Sequence, residues 1–307
     1  MRPIVTVTLN PAIDRTVWID RLEPGATHRT SMSRATIGGK GINVARTAGR
    51  LGAPVIALGI AVEDQATRIE QHLGARGIQA RFLGIEGETR TNLKLIEQND
   101  GRMTEINGTG PEVSQEVLEA LAADLFETVA RERPAVVVMA GSLPAGVPAD
   151  VYARWTQELR RSAAEVASIV DASDEPLTRA IGAGPFLVKP NRVEAEAILG
   201  RAIGDGKDPC RAALEIVELG PRAVLLSLGA DGAVAALGTA AQAFRAGAID
   251  AAPGRLMTTV GAGDAMVARI AVELAGRDPA EPITPDTFFT VCRLAVEQAA
   301  AHIATGG

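Results

Sequence analysis

The stretch Ala135-Val136-Val137-Val138-Met139-Ala140-Gly141-Ser142-Leu143-Pro144 decides the fold. Six apolar residues run without a polar interruption and then stop at Gly-Ser-Leu-Pro. A strand that is apolar at every position is buried on both faces, the pattern of a parallel sheet covered by helices on each side. The neighbouring residues agree. Upstream, Ser114 to Arg131 carries Val117, Leu118, Leu121, Leu125 and Val129 at helical spacing, with Ser114 as a cap. Downstream, Val151 to Ser162 reads as a helix, and Ala167 to Val170 as a strand ending in Asp171. Phe186 to Val188 is a strand ending in Lys189-Pro190-Asn191, and the helix after it holds Val193, Ala197 and Leu199. Pro209 to Leu219 is helical, and Ala223 to Leu228 is a strand ending in Gly229-Ala230-Asp231-Gly232. This alternation predicts an α/β fold with a parallel sheet and right-handed crossovers. A carboxylate such as Asp171, at the end of a strand, stands where such sheets present groups to a ligand.

The first third of the chain reads differently. Ile4 to Leu9 is a strand that breaks at Asn10-Pro11-Ala12-Ile13-Asp14. Thr16 to Ile19 and Arg29 to Thr36 are β-like but too polar for the centre of a core. Thr91 to Glu97 and Met103 to Ile106 form a hairpin around Asn99-Asp100-Gly101. These pieces, about 12–36 and 88–107, predict a small half-exposed sheet inserted into the α/β core. Val55 to Gly59 and Ala80 to Phe82 are strands and Thr67 to Leu73 is part of a helix. Val234 to Ala236 and Ala241 to Phe244 make a short hairpin, and Thr287 to Ile303 is the last helix. With no internal repeat and no linker, residues 1–307 read as a single domain.

The 307 residues are 47% apolar and 22% charged, with a net charge of -6 and no basic cluster. A nucleic-acid or anionic-membrane partner is not expected, because both lean on clustered Lys and Arg. A small phosphorylated substrate needs only two or three local cations. Cys210 and Cys292 are far apart and give neither a disulfide framework nor a metal site. No apolar run approaches ~20 residues, so no membrane span is expected. The N-terminus runs directly into a strand pattern with no leader, and the expected compartment is the cytoplasm.

Two places read as loops that turn into helices and carry chemistry. One is Gly38-Gly39-Lys40-Gly41-Ile42-Asn43-Val44-Ala45-Arg46. The other is Thr258-Thr259-Val260-Gly261-Ala262-Gly263-Asp264-Ala265-Met266, where Val267, Ile270, Ala271 and Leu274 continue at helical spacing. Free backbone N–H groups and the positive end of a helix dipole would face a ligand at Gly261, Ala262 and Gly263. From these residues alone Asp264 has two readings. It is either a first-turn carboxylate placed for the dipole, or a base beside an anion hole. Asn191 and Glu194, one helical turn apart on one face, read from their own spacing as a capping-box-like helix start.

These motifs resemble those of the ribokinase-like (PfkB) carbohydrate kinases. The likeness rests on Thr8 to Asp14, Gly38 to Arg46, Gly141 to Pro144, Val188-Lys189-Pro190-Asn191 with Glu194, Ser227 to Gly232, and Val260 to Asp264. Six stretches in order cover nearly the whole chain. Lys40 between its glycines resembles the branch of 1-phosphofructokinases and tagatose-6-phosphate kinases. The resemblance implies a three-layer α/β/α core with a β-sheet lid, ATP and Mg²⁺ as cofactors, and a homodimer whose lids meet. It implies phosphorylation of a ketohexose monophosphate, foremost fructose 1-phosphate to fructose 1,6-bisphosphate. The alternatives are tagatose 6-phosphate or fructose 6-phosphate at the 1-hydroxyl. A silent phosphosugar-binding protein on this fold would lack the base, and Asp264 is present.

The resemblance also implies residue roles. Asp264 is the general base, with Gly261, Ala262 and Gly263 as N–H donors to the migrating phosphoryl. Asp14, Gly38, Gly39 and Asn43 contact the sugar. Lys40 reaches a phosphate, and Arg90 with Ser142 grips the phosphate already on the substrate. Arg29, or His28, is the candidate second cation there, acting across a dimer. Lys189, Asn191, Ser227, Gly229 and Gly232 face the nucleotide, and Glu194 organises Mg²⁺ mostly through water. His72 and His302 read as ordinary helix residues.

Overall fold

The structure, a computed structural model, describes residues 1–30, 32–245 and 261–305. Thr258, Thr259 and Val260, part of the second glycine stretch, lie outside the described residues. The elements in chain order are β1 (Ile4–Thr8), β2 (Ala12–Ile19), β3 (Met32–Gly38), α1 (Lys40–Arg50), β4 (Val55–Val62), α2 (Glu63–Gly74) and β5 (Gln79–Ile85). Next come β6 (Thr91–Glu97), β7 (Met103–Asn107), α3 (Gln115–Glu132), β8 (Val136–Ala140), α4 (Val151–Ser162), β9 (Ala167–Asp171), α5 (Asp174–Gly182) and β10 (Leu187–Val188). The chain continues through α6 (Arg192–Leu199), α7 (Asp208–Glu218), β11 (Ala223–Ser227), a short 3₁₀ turn (Gly229–Asp231), β12 (Ala233–Leu237), β13 (Ala240–Phe244), α8 (Ala262–Ala275) and α9 (Pro285–Thr305).

Nine strands form one sheet in the order β13-β12-β11-β10-β9-β8-β1-β4-β5. From β11 to β5 every pairing is parallel, and β12 and β13 add an antiparallel edge. The pleat divides the apolar strands between two cores. Val136 and Val138 face α1, α2, α8 and α9, while Val137 and Met139 face α3, α4, α5 and α7. That two-sided burial is why β8 reads as unbroken apolar sequence. The result is the α/β fold of helix, sheet and helix layers.

Winding reverses at β1, which pairs β4 on one side and β8 on the other. The crevice beyond the C-terminal ends of β1 and β8 is therefore the switch point where ligands bind in such sheets. The second sheet, in the order β3-β2-β6-β7, begins once the chain has passed Leu9, Asn10 and Pro11. β2 pairs β3 antiparallel and β6 parallel, and β6 pairs β7 antiparallel. Its outer strands are exposed along most of their length.

One helix escapes the sequence reading. α5 contains Pro176 and two acidic residues and is only nine residues long, so its apolar face shows just Leu177, Ala180 and Ile181. β2 is also longer than the pattern implies. It starts at Ala12, because pairing with β3 from Gly38 to Ala35 carries the strand through Asp14 and Arg15, whose polar sequence and the preceding Asn-Pro turn conceal it.

Candidate active site

The ends of the parallel strands bring the candidate residues together. Lys40 opens α1 directly after β3, and its Nζ lies 2.9 Å from Oδ1 of Asp171 at the end of β9. Lys189, the first residue after β10, reaches the same oxygen at 3.5 Å. Asp171 is wholly buried, and its other oxygen, Oδ2, is buried with no hydrogen-bond partner. Burial drives its carboxyl upward, but the Lys189 and Lys40 ammoniums outweigh it and hold Asp171 below the ordinary carboxylate range. Burial likewise acts to lower the Lys40 ammonium. Asp171, then Asp264, overcome that, so Lys40 is held above its usual value and stays charged at neutral pH.

Asp264 lies buried in the first turn of α8. Burial first, and the Asp171 carboxylate second, push its carboxyl up to about 6; Lys40, a hydrogen bond from Asn43 and Lys189 oppose them. That bond runs from Asn43 Nδ2 to Asp264 Oδ2 at 2.8 Å. A carboxyl near 6 is mostly ionised at pH 7 yet basic enough to take a proton. No side chain caps α8. The N–H groups of Ala262, Gly263 and Asp264 therefore have no carbonyl four residues back within the helix. Gly261 turns into the helix at φ +80°, and a Cβ there would come within 2.8 Å of His302 Nε2 in α9. His302 thus packs against the turn that opens α8. A Cβ on Gly263 would come within 3.1 Å of Lys189 Nζ, which places that ammonium against the same turn.

The small sheet supplies Asp14. Its Oδ1 accepts from Asn92 Nδ2 at 2.8 Å, and Lys94 Nζ stands 3.8 Å from its Oδ2. Lys94 is only 7% exposed. A Cβ on Gly38 would run into the Asp14 carboxylate, so glycine is what lets that acid lie over the strand end. Gly39 has φ +131° and also approaches Thr8 and Pro11 closely.

Arg90 and Ser142 meet around Asn10. The Arg90 guanidinium donates to the Asn10 carbonyl at 2.8 and 3.2 Å and to Gly108 O at 3.4 Å. Asn10 Nδ2 donates to Thr109 O at 3.1 Å and to Ser142 Oγ at 3.5 Å. Asn10 therefore ties β1, β8 and the loop after β7 across the switch point. Arg29 is not joined to this group. It is exposed, in a segment held by local bonds from His28 to Glu23 and from Thr30 to Trp18 and Met32.

The remaining candidates cluster beside β10 and β11. Asn191 and Glu194 form a complete capping box. The other Glu194 oxygen accepts from Ser173 Oγ at 2.8 Å. Ser227 bridges to Asn191 and donates from N to Pro190 O at 2.9 Å, and Gly229 and Gly232 frame the 3₁₀ turn that follows. Among the described residues no group of three or more His, Cys, Asp and Glu could hold a metal alone. No helix there is long and apolar enough to cross a membrane.

Several contacts of the site escape the sequence reading. Asp171 carries a signal, a carboxylate ending a buried strand, but its lysine partners lie far from it in the sequence, Lys40 at a separation of 131 residues. Asn92, Lys94 and Ser173 carry none, because their partners lie on other elements, and Asn10 and Arg46 stand inside the quoted motifs without showing the contacts they make.

Comparison with known proteins places this arrangement. The sequence profile of the pfkB family carbohydrate kinases matches residues 7–307. A 1-phosphofructokinase of Xanthomonas campestris is 40% identical over 300 residues, covering 94% of this chain and 90% of that one. The 1-phosphofructokinase of Escherichia coli K12 is 34% identical over 97% of this chain and 92% of its own. Among solved structures, phosphofructokinase-2 from Escherichia coli in complex with substrates and products superposes with a TM-score of 0.82 at 26% identity, covering 99% of this chain and 94% of the other. A possible 1-phosphofructokinase of Thermotoga maritima gives 0.82 at 25% identity, with 98% and 92% covered. The chain belongs to the pfkB family of carbohydrate kinases and is related to its phosphofructokinases.

Proposed function

We propose that the protein transfers the terminal phosphoryl group of ATP to the 6-hydroxyl of fructose 1-phosphate, giving fructose 1,6-bisphosphate and ADP. The observation that carries this reading is the Asp264 carboxylate. It is buried, raised to about 6, and set beside the uncapped first turn of α8 with two lysines in range. Asp264 takes the proton of the attacking hydroxyl as the new P–O bond forms and the bond to the β-phosphate oxygen breaks. The N–H groups of the α8 turn, with Lys40 and Lys189, face the charge on the migrating phosphoryl. Asp14 and Gly39 orient the ring hydroxyls, and Arg90 with Ser142 receives the phosphate at the sugar's far end.

Two observations bear on Mg²⁺. Asp171 Oδ2 is a buried carboxylate oxygen without a partner, and Glu194 stands on the nucleotide side with both oxygens already hydrogen-bonded. That donor set fits a magnesium ion held mainly by water and by nucleotide phosphates, with Asp171 and Glu194 behind it. Bound there, the ion would neutralise charge on the β- and γ-phosphates. The four-stranded sheet serves as the lid. Its exposed Met32, Met103 and Ile106 support a homodimer formed through the lids.

The test is a panel of fructose 1-phosphate, fructose 6-phosphate, tagatose 6-phosphate and fructose with ATP and Mg²⁺. The highest kcat/KM is expected with fructose 1-phosphate. Higher efficiency with either 6-phosphate transfers the assignment to the 1-hydroxyl. Efficient use of fructose alone ends the phosphate-clamp reading. Sedimentation at micromolar concentration tests the dimer.

A further inference from the structure

We propose that Arg46 is a positioning residue that makes Asn43 an obligate hydrogen-bond donor to Asp264. The inference rests on the reading of Asp264 as the base. Arg46 lies three residues after Asn43 on α1, one helical turn along the same face. Its Nη2 donates to Asn43 Oδ1 at 2.9 Å, and its Nη1 to Ile37 O at 3.5 Å. The other end of the same amide, Asn43 Nδ2, donates to Asp264 Oδ2. The three side chains thus form a chain in one direction, guanidinium to amide to carboxylate.

The chemistry of the first link fixes the second. A guanidinium donates and never accepts, so it admits only the oxygen end of the amide. With Oδ1 committed to Arg46, the NH₂ must face Asp264. An unconstrained asparagine can turn over and present its oxygen instead. An oxygen facing Asp264 welcomes only the protonated acid, which cannot act as a base. Arg46 therefore selects the ionised form of Asp264 without touching it. Arg46 is half-buried and anchored at both ends of its guanidinium, to Asn43 Oδ1 and to Ile37 O.

The other groups facing Asp264 do not perform this selection. Asp171 on β9 opposes ionisation. Lys40 on α1 and Lys189 after β10 favour it through space without fixing any amide. The His302 ring from α9 packs on Gly261, at the other end of the turn.

The experiment measures kcat/KM against pH for the wild type, Arg46→Met, Arg46→Gln, Asn43→Ala and the Arg46→Met/Asn43→Ala double variant, each checked for folding by thermal unfolding. In Arg46→Met the acid limb should move up by about one pH unit, so activity drops about tenfold at pH 5.5 and much less at pH 8. Arg46→Gln, neutral and able to donate to Asn43 Oδ1 but also to accept from its Nδ2, should shift the limb less than Arg46→Met does. It also serves as the test should Arg46→Met fail to fold. Asn43→Ala should move the limb upward, and adding Arg46→Met should move it no further. A limb that stays put in folded Arg46→Met, equal shifts in the Gln and Met variants, or additive shifts in the double variant would overturn the proposal. The last two would leave only a through-space charge effect. The base reading fails separately, if Asp264→Asn turns over at near wild-type rate.

Discussion

In the nine-stranded sheet, β1 and β8 are buried at every residue; in the four-stranded sheet, β3 and β7 are exposed at most of theirs. The large sheet is fixed by two apolar layers, and the groups at its strand ends inherit that rigidity. Asp171, Lys189 and Asp264 are all buried there. The small sheet gives no buried residue to either apolar core and buries few side chains, Lys94 and Glu97 among them beside Ile19 and Ile96. Lys94 stands by Asp14, and Glu97 accepts from Leu22 N at 2.9 Å and Arg102 Nη2 at 3.1 Å. One half of the candidate site is therefore preorganised by packing, and the other half is held by contacts that a ligand could exchange. The groups proposed to act in phosphoryl transfer sit on the first half, and Asp14 and Arg90, proposed to hold the sugar phosphate, on the second.

The contrast can be broken most sharply at Asp264. Asp264→Asn should lower turnover by at least about a hundredfold with little loss of substrate affinity. Wild-type kcat should rise as pH passes through about 6, following Asp264. The same substitution should stabilise the protein. A carboxyl whose folded pKa is raised favours folding at low pH and loses that contribution as pH climbs past the folded value. At pH 8 the buried charge is a burden, and replacing it should gain about 1–3 kcal/mol, seen as a higher Tm. A variant both active and less stable would contradict both halves of this expectation.

Arg90 probes the other half. Arg90→Met should reduce kcat/KM for fructose 1-phosphate by about 10- to 100-fold, the value of a charge-assisted phosphate contact. Residual activity on fructose should change far less. An equal loss on both sugars would reassign Arg90 to holding the Asn10 and Gly108 carbonyls it already touches. A third comparison needs no substrate. Val138→Ala, in the large sheet, should cost about 2 kcal/mol in chemical denaturation. Met103→Ala, on the small sheet, should cost less than about 0.5 kcal/mol. Similar losses at both positions would show that the two sheets are not held on different terms.

How much of this was legible in the chain follows the same division. The strands of the large sheet announce themselves, because two-sided burial leaves an apolar run such as Val136 to Ala140 that needs no partner to recognise. The helix of Val151 to Ser162 and the strand of Thr91 to Glu97 were legible to the residue. α5 was not, because a nine-residue helix beginning Asp-Glu-Pro shows too little periodicity. At the site, the glycine junctions and Asp264 were visible as local patterns. Asp171 was visible as a position but not as a partner of Lys40 and Lys189. The Arg46–Asn43 contact is local in sequence, yet its meaning depends on Asp264, 221 residues away from Asn43. Sequence patterns report what is periodic or contiguous, and this site is assembled from groups that are neither.

Asn10 adds a mechanical consequence. Its backbone oxygen is the seat of one guanidinium, and its side-chain amide ties a second loop to a third. Segments from four remote parts of the chain are thus knotted at one residue between the two sheets. Any tilt of the smaller sheet against the larger one would have to strain or break these bonds at a single residue.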